Sequence, residues 1–120
     1  DPTNADAWYR LASIHGSERR DASALSCLRR ALSADPEHLS ARRTLGILLH
    51  RRGDVQAAQR EYAIILEAAP GDEETTFRLG LAHIHAGTLE GAKLQLESLK
   101  ALGSPLAGRL ELELLQARER

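Results

Sequence analysis

The sequence is poor in several residue types, and each shortage excludes a class of protein. Its 120 residues include one cysteine, no methionine and only four aromatic residues. A single cysteine, Cys27, excludes an intrachain disulfide and a thiolate-rich metal site. Since alanine and leucine together fill 40 of the 120 positions, the composition favours helices over sheets. No apolar run approaches the roughly 18 residues that span a bilayer, so we expect no membrane insertion by this segment.

The chain also has no large excess of positive or negative charge. Sixteen basic and seventeen acidic residues leave a net charge of −1, which argues against binding nucleic acid by bulk charge. The first 60 residues hold ten basic and seven acidic side chains, whereas the last 60 hold six and ten. This polarity permits head-to-tail self-association. Fourteen arginines against two lysines suggest a GC-rich bacterial genome.

No targeting signal is visible in this segment. It starts with Asp1-Pro2-Thr3-Asn4, which has no feature of a signal peptide. The compartment therefore stays open between cytoplasm and periplasm.

The four prolines are evenly spaced. They stand at positions 2, 36, 70 and 105, which are 34, 34 and 35 residues apart and indicate internal repeats. Other residues recur with the same period: Leu11, Leu45 and Leu79; Ala24, Ala58 and Ala92; Gly46 and Gly80; Gly53 and Gly87. Within each unit the apolar residues follow helical spacing before and after a break. Each unit therefore predicts an antiparallel hairpin of two helices that ends at a proline.

These repeats resemble the tetratricopeptide repeat, whose 34-residue pattern is Trp-x2-Leu-Gly-x2-Tyr, then Ala-x3-Phe, then Pro. The first copy supplies Trp8, Leu11-Ala12, His15, Ala24, Leu28 and Pro36; the second, Leu45-Gly46, Leu49, Ala58, Tyr62 and Pro70; the third, Leu79-Gly80, His83, Ala92, Leu96 and Pro105. The resemblance implies an all-α, right-handed α-solenoid. Its units would be the end of a preceding repeat at 1–4, repeats at 5–38, 39–72 and 73–106, and a capping helix or truncated fourth repeat at 107–120.

Three positions depart from the pattern. Arg42 and Thr76 stand where Trp8 supplies an aromatic side chain, which weakens the link to the preceding repeat. Arg19 stands where the later copies have Gly53 and Gly87, so we expect a reshaped first turn with Gly16 ending that helix early. In the later copies, the glycines end the first helices, and Asp54 and Thr88 are predicted to cap the second ones.

The last residues form one more helical stripe, made of Leu106, Leu110, Leu114 and Ala117. Leu112 and Leu115 lie off this stripe. Either another element packs on them, or the segment begins a truncated fourth repeat. Self-association that buries these two leucines is an alternative function for the chain.

The resemblance implies a non-catalytic scaffold that binds a peptide or helix of a partner protein in a concave groove. The groove residues it implies are Tyr9, Ser13, Arg43, Ile47, His50, Phe77, Arg78, Leu81 and His85, with Asp6, Ser17, Ser40 and Glu74 beside them. The apolar members would hold an apolar side chain, and Arg43, His50 and Arg78 would pair with a carboxylate. The alternative is that Phe77 and Leu81 are core residues and that the arginines are solvated.

Related domains bind chaperone C-terminal carboxylates through a clamp of Lys, Asn, Asn, Lys and Arg. At the corresponding positions this chain has Tyr9, Ser13, Thr44, Glu74 and Arg78. Only Arg78 matches, and Glu74 would repel a carboxylate. We therefore expect no binding of chaperone tails.

No pattern predicts an enzyme, a cofactor or a metal site. His83 and His85 point roughly 200° apart on a helix and cannot chelate one ion, while His15 and His83 share a packing position. The glycines fall singly, so there is no phosphate-binding loop. RNA binding is a third possible function, but the Arg-Arg pairs that begin at residues 19, 29, 42 and 51 spread over different surfaces.

Overall fold

The computed structural model describes residues 2–119, and this part of the chain is helical with short turns. Its seven helices are α1 (Pro2–Ser17), α2 (Asp21–Ala34), α3 (Leu39–Arg51), α4 (Val55–Ala68), α5 (Glu73–Ala86), α6 (Leu89–Ala101) and α7 (Leu106–Arg118). Each pair α1/α2, α3/α4 and α5/α6 packs as a hairpin, and α2 on α3 and α4 on α5 join the hairpins. The predicted all-α solenoid is confirmed. It measures 44 × 27 × 20 Å.

The first helices of the hairpins lie along one side of the stack. Helix α3 contacts both α1 and α5, whereas the second helices lie outside them. In a stack of this kind the first helices form the inner, concave surface. This surface is called the groove below.

The hairpin turns share one backbone device. Gly53 and Gly87 adopt left-handed φ angles of 92° and 79°, and Arg19 adopts the same conformation with φ 62°. In all three turns the following residue donates to the carbonyl five positions earlier: Arg20 to His15 (2.8 Å), Asp54 to Leu49 (2.8 Å) and Thr88 to His83 (2.9 Å). The expectation that Gly16 ends α1 early is wrong, because α1 continues to Ser17 and Arg19 accepts the strained conformation.

One further expectation about helix ends needs correction. Asp54 and Thr88 do occupy the N-cap positions of α4 and α6, but neither side chain accepts a capping hydrogen bond. Helix α1 begins at Pro2, where a proline needs no hydrogen bond from its nitrogen; the assignment of residues 1–4 to the end of a preceding repeat stays a prediction. Asp1 and Arg120 lie outside the described residues.

The core consists of two clusters. The first unites the first two hairpins and reaches Leu79 and Ala82 of α5. The second joins Phe77 and Ile84 of α5 to buried residues of α6 and α7. Helix α7 packs on α5 and α6 through the predicted stripe: Leu110 and Leu114 are buried, and Leu106 and Ala117 are partly buried.

Polar side chains occupy the two positions where Trp8 supplies an aromatic ring in the first hairpin. Arg42 donates to Glu61 Oε1 of α4 at 2.7 Å and to the Pro36 carbonyl at 3.0 Å. Thr76 is buried and donates to the Asp72 carbonyl at 2.9 Å. The Arg42 contact with Glu61 joins α3 to α4 of the same hairpin, whereas the Thr76 contact lies within the first turn of α5.

Candidate protein-binding surface

The groove contains three polar clusters, and the first lies beside α1. His38 Nε2 is 2.8 Å from Asp6 Oδ1, and the rings of His38 and Tyr9 are 5.0 Å apart. His38 is held in place because its Nδ1 accepts from the Ala41 amide at 3.0 Å, which caps α3. His38 was not among the residues that the sequence predicted for the groove. Its position before a helix start was the available signal, but histidine is not a usual capping residue.

The central cluster is a charge network between α3 and α5. Arg43 Nη1 is 3.1 Å from Glu74 Oε2 and 3.3 Å from Asp72 Oδ2, and Arg78 Nη2 is 3.7 Å from Glu74 Oε1. Asp72 also accepts from the Thr75 amide at 3.1 Å and so caps α5. Both predicted arginines are thus paired with carboxylates of their own chain. The central groove is a mixed-charge surface rather than a cationic one.

Tyr62 lies beneath this network. Its ring is fully buried, and burial raises the pKa of Tyr62 to about 12; Arg78 and Arg43 lower this pKa by smaller amounts, and Glu74 raises it. The Tyr62 hydroxyl and Arg78 Nε have no hydrogen-bond partner among the described residues. The Tyr62 ring is thus a buried packing residue beneath the charged side chains.

The third cluster is a histidine pair at the other end of α3 and α5. His50 Nε2 lies 2.6 Å from His85 Nδ1, and the rings meet edge to face at 4.7 Å between centroids. Burial lowers the pKa of His50, and the nearby His85 and Arg78 lower it further. A hydrogen bond between the rings requires one nitrogen to donate and the other to accept, so the pair is neutral on at least one ring.

The apolar residues predicted for the groove differ in accessibility. Tyr9, Ile47 and Leu81 are half-buried and keep part of their surface open. Phe77 is 8% exposed, packs in the second core cluster and is covered by the Arg109 guanidinium of α7, 5.0 Å from its ring centroid. Phe77 is therefore a core residue in this structure.

The serines predicted beside α1 are exposed, and each donates a hydrogen bond to a carbonyl of its own helix. Ser13 Oγ donates to the Tyr9 carbonyl at 3.1 Å, and Ser17 Oγ donates to the Ile14 carbonyl at 2.8 Å. Both remain exposed. They give the groove beside α1 a polar edge.

The other histidines and Cys27 take part in packing. His83 Nδ1 is 2.8 Å from Thr88 Oγ1, and burial lowers the pKa of His83. Cys27 is buried. Within residues 2–119, no group of three or more His, Cys, Asp or Glu side chains is arranged to hold a metal ion. None of the described helices has the length and apolar character of a membrane span.

The chain is similar to known helical-repeat proteins. A family profile described as Tetratricopeptide repeat matches residues 11–77. Tetratricopeptide repeat protein 8 of Caenorhabditis elegans is 38% identical over 63 residues, which are 52% of this chain and 12% of that protein. The chain belongs to the tetratricopeptide repeat family.

Two solved structures have the same fold. The first tetratricopeptide domain of Spaghetti (RPAP3), bound to the HSP90 peptide SRMEEVD, is 17% identical, with a TM-score of 0.88 over 100% of this chain and 97% of that one. PcrH in complex with the chaperone binding region of PopB is 18% identical, with a TM-score of 0.83 over 94% of this chain and 96% of that one. At identities this low, the structural similarity establishes the fold alone.

Proposed function

We propose that the chain is a non-catalytic protein-interaction module that binds a peptide or helix of a partner protein in the groove of α1, α3 and α5. The observation that carries this proposal is that all three helices present accessible polar and apolar side chains at the groove positions: Tyr9, Ser13, Arg43, Ile47, Arg78 and Leu81. Both structurally similar proteins described above hold a polypeptide of another protein. A groove built on rigid helices needs little rearrangement to bind such a segment.

The centre of the groove favours a partner that has an acidic residue next to an apolar one. Arg43 and Arg78 share Glu74, whose side chain is 52% exposed, whereas Asp72 is only 20% exposed. Glu74 is therefore the carboxylate that a partner's Asp or Glu replaces, since moving it to solvent costs little. Ile47 and Leu81, at equivalent positions of α3 and α5, then receive the neighbouring apolar side chain.

Chaperone tails are not the expected partner. Of the five clamp positions only Arg78 carries the residue that the clamp needs, and Tyr9 and Ser13 bring no positive charge to a terminal carboxylate. We expect the peptide SRMEEVD to bind this chain at least tenfold more weakly than peptides selected for its groove.

The test is selection from two displayed peptide libraries, one biased to Asp, Glu, Leu and Ile, and the other with Lys in place of the acids. We expect peptides to enrich only from the acidic library. Their affinity should fall at least tenfold for Arg43→Glu and Arg78→Glu, as measured by fluorescence anisotropy. Arg60→Glu is the matched control, because Arg60 is an exposed arginine of the outer helix α4. Equal enrichment from both libraries, or unchanged affinity in Arg78→Glu, would contradict the proposal.

A further inference from the structure

Helix α1 exposes an apolar stripe that its equivalents in the later hairpins bury. Leu11 is 39% exposed, while Leu45 and Leu79 are 3% and 7% exposed; Ile14 is 54% exposed, while Leu48 and Ala82 are 2% and 0% exposed. Ala7 is likewise exposed, although Ala41 and Thr75 are fully buried. In α3 and α5 these positions face the second helix of the preceding hairpin, as Leu45 of α3 does in the core cluster against which Leu32 of α2 packs. Among the described residues, no helix covers the α1 stripe as α2 and α4 cover the equivalent positions of α3 and α5.

Helix α7 exposes a second apolar stripe at the opposite end of the stack. Leu112 and Leu115 are 57% and 50% exposed and lie on the side away from the buried Leu110 and Leu114. Gly108, one turn earlier on the same side, has no atom within 4 Å of the place where a Cβ would lie. Another helix can therefore approach the α7 backbone closely there.

The two stripes have the same spacing and opposite charge. The α1 stripe consists of Ala7, Arg10, Leu11 and Ile14, and the α7 stripe of Gly108, Glu111, Leu112 and Leu115. Each has a small residue at i, a charged one at i+3 and apolar ones at i+4 and i+7, which places all four on one helix face. The charge is positive on α1 and negative on α7. Glu111 is 49% exposed and pairs with Lys100 at 3.3 Å, so it remains accessible from outside.

We propose that the α7 stripe of one molecule packs on the α1 stripe of a second copy of this chain. When the two helices lie antiparallel, face to face, Arg10 and Glu111 fall on the same side of the interface, whereas in a parallel arrangement they fall on opposite sides. The antiparallel arrangement therefore adds an ion pair to the apolar contact. In this contact α7 covers the face of α1 whose equivalents in α3 and α5 are covered by α2 and α4.

Each molecule has one stripe of each kind, so the contact is head-to-tail and generates open chains of molecules. The groove stays free in such a chain, because Tyr9 and Ser13 lie on the side of α1 roughly opposite to Leu11 and Ile14. The contact uses few side chains on each partner, so we expect a dissociation constant between about 10 μM and about 1 mM.

Sedimentation velocity from about 10 μM to about 1 mM tests the proposal, since this range covers weak association. We expect the weight-average mass of the sedimenting species to rise with the concentration of the chain. Ile14→Glu alone and Leu112→Glu alone should each remain monomeric, because each loses one side of the contact. An equimolar mixture of the two variants should form a dimer of one Ile14→Glu and one Leu112→Glu molecule that grows no further, since each still carries one intact stripe. Ile64→Glu, on an exposed isoleucine of α4, is the matched control and should associate like the original chain.

Charge exchange is the second test. Arg10→Glu should weaken association at least fivefold, and the double variant Arg10→Glu, Glu111→Arg should restore it. A chain that stays monomeric at 1 mM, a mixture of Ile14→Glu and Leu112→Glu that stays monomeric, or association that Leu112→Glu leaves unchanged would overturn the proposal. The last result would point to a symmetric contact between two α1 stripes.

Discussion

Leu110 of α7 lies directly over Gly80 of α5, with its Cδ2 atom 2.6 Å from the place where a Cβ of residue 80 would lie. One repeat earlier, the Tyr62 ring occupies the equivalent space over Gly46, with its Cε1 atom at 2.5 Å. The third hairpin has Leu96 in the place of Tyr62, and the smaller side chain leaves room there. Helix α7 therefore completes the core of the third hairpin with a residue of its own.

Gly46→Ala and Gly80→Ala should each destabilise the chain by about 1–3 kcal/mol, because the added methyl group overlaps a packed side chain. Chemical denaturation with urea measures the loss. Gly16→Ala is the matched control, since a Cβ at this helical glycine has nothing within 4 Å. The control should be neutral or stabilising by up to about 1 kcal/mol. Equal effects at all three positions would show that close packing is not the reason for the glycines.

Arg19→Gly should stabilise the chain by about 0.5–1 kcal/mol. Arg19 has a φ of 62°, where a side chain is strained and glycine is not, although glycine also loses more entropy on folding. The reciprocal variant Gly53→Arg, at the equivalent turn, should lose a similar free energy of unfolding. Urea denaturation of both variants checks the pair, and a stabilised Gly53→Arg would contradict the explanation.

Phe77→Ala should cost about 3 kcal/mol or more of stability, as expected for a buried aromatic ring. The loss should also make α7 more sensitive to limited proteolysis, because Arg109 of α7 covers the ring. Ile47→Ala, at a half-buried groove residue, is expected to lose less. If Phe77→Ala instead kept its stability and lost peptide binding, Phe77 would be a binding residue after all.

The stability of the chain should fall as the pH drops below 6.5. The pKa of His50 is lowered from its usual 6.5 in the folded state, so the unfolded chain takes up a proton first as the pH falls. This proton uptake stabilises the unfolded chain relative to the folded one. His83, whose pKa is also lowered, acts in the same direction. Above 6.5 both states hold these rings neutral, and the contribution is constant.

Thermal denaturation between about pH 7.5 and about pH 5.5 measures this loss, and the imidazole NMR signals report the pKa of His50 directly. A His50→Gln, His83→Gln variant should lose less stability over the same interval. A His50 ring that titrates above 6.5 would contradict the prediction.

The fold was predictable because its signals are periodic. The prolines at 36 and 70 follow helix ends, and Gly53 and Gly87 lie where their spacing predicted that the first helices end, each with a left-handed φ angle. The first turn was not predictable in the same way. Arg19 carries no sequence signal for a left-handed conformation, and only the surrounding packing imposes it.

The sequence predicted most of the residues that line the groove but not the ion pairs and hydrogen bonds between them. Repeat positions indicate which side of a helix a residue occupies, and they brought Arg43, Arg78 and Glu74 to one surface. They do not report the loop residue Asp72 or the capping residue His38, because both lie outside the repeated helical positions. Phe77 shows the same limit, since its burial depends on where α7 crosses α5.

Helix α5 belongs to both core clusters. Leu79 and Ala82 face the first cluster, while Phe77 and Ile84, roughly 200° away around the helix, face the second. Local opening at either end of the stack can then uncover only one side of α5 at a time. Its backbone amides should therefore exchange with deuterium most slowly, with an opening free energy equal to that of global unfolding. Helix α5 should be the last helix to lose its hydrogen bonds.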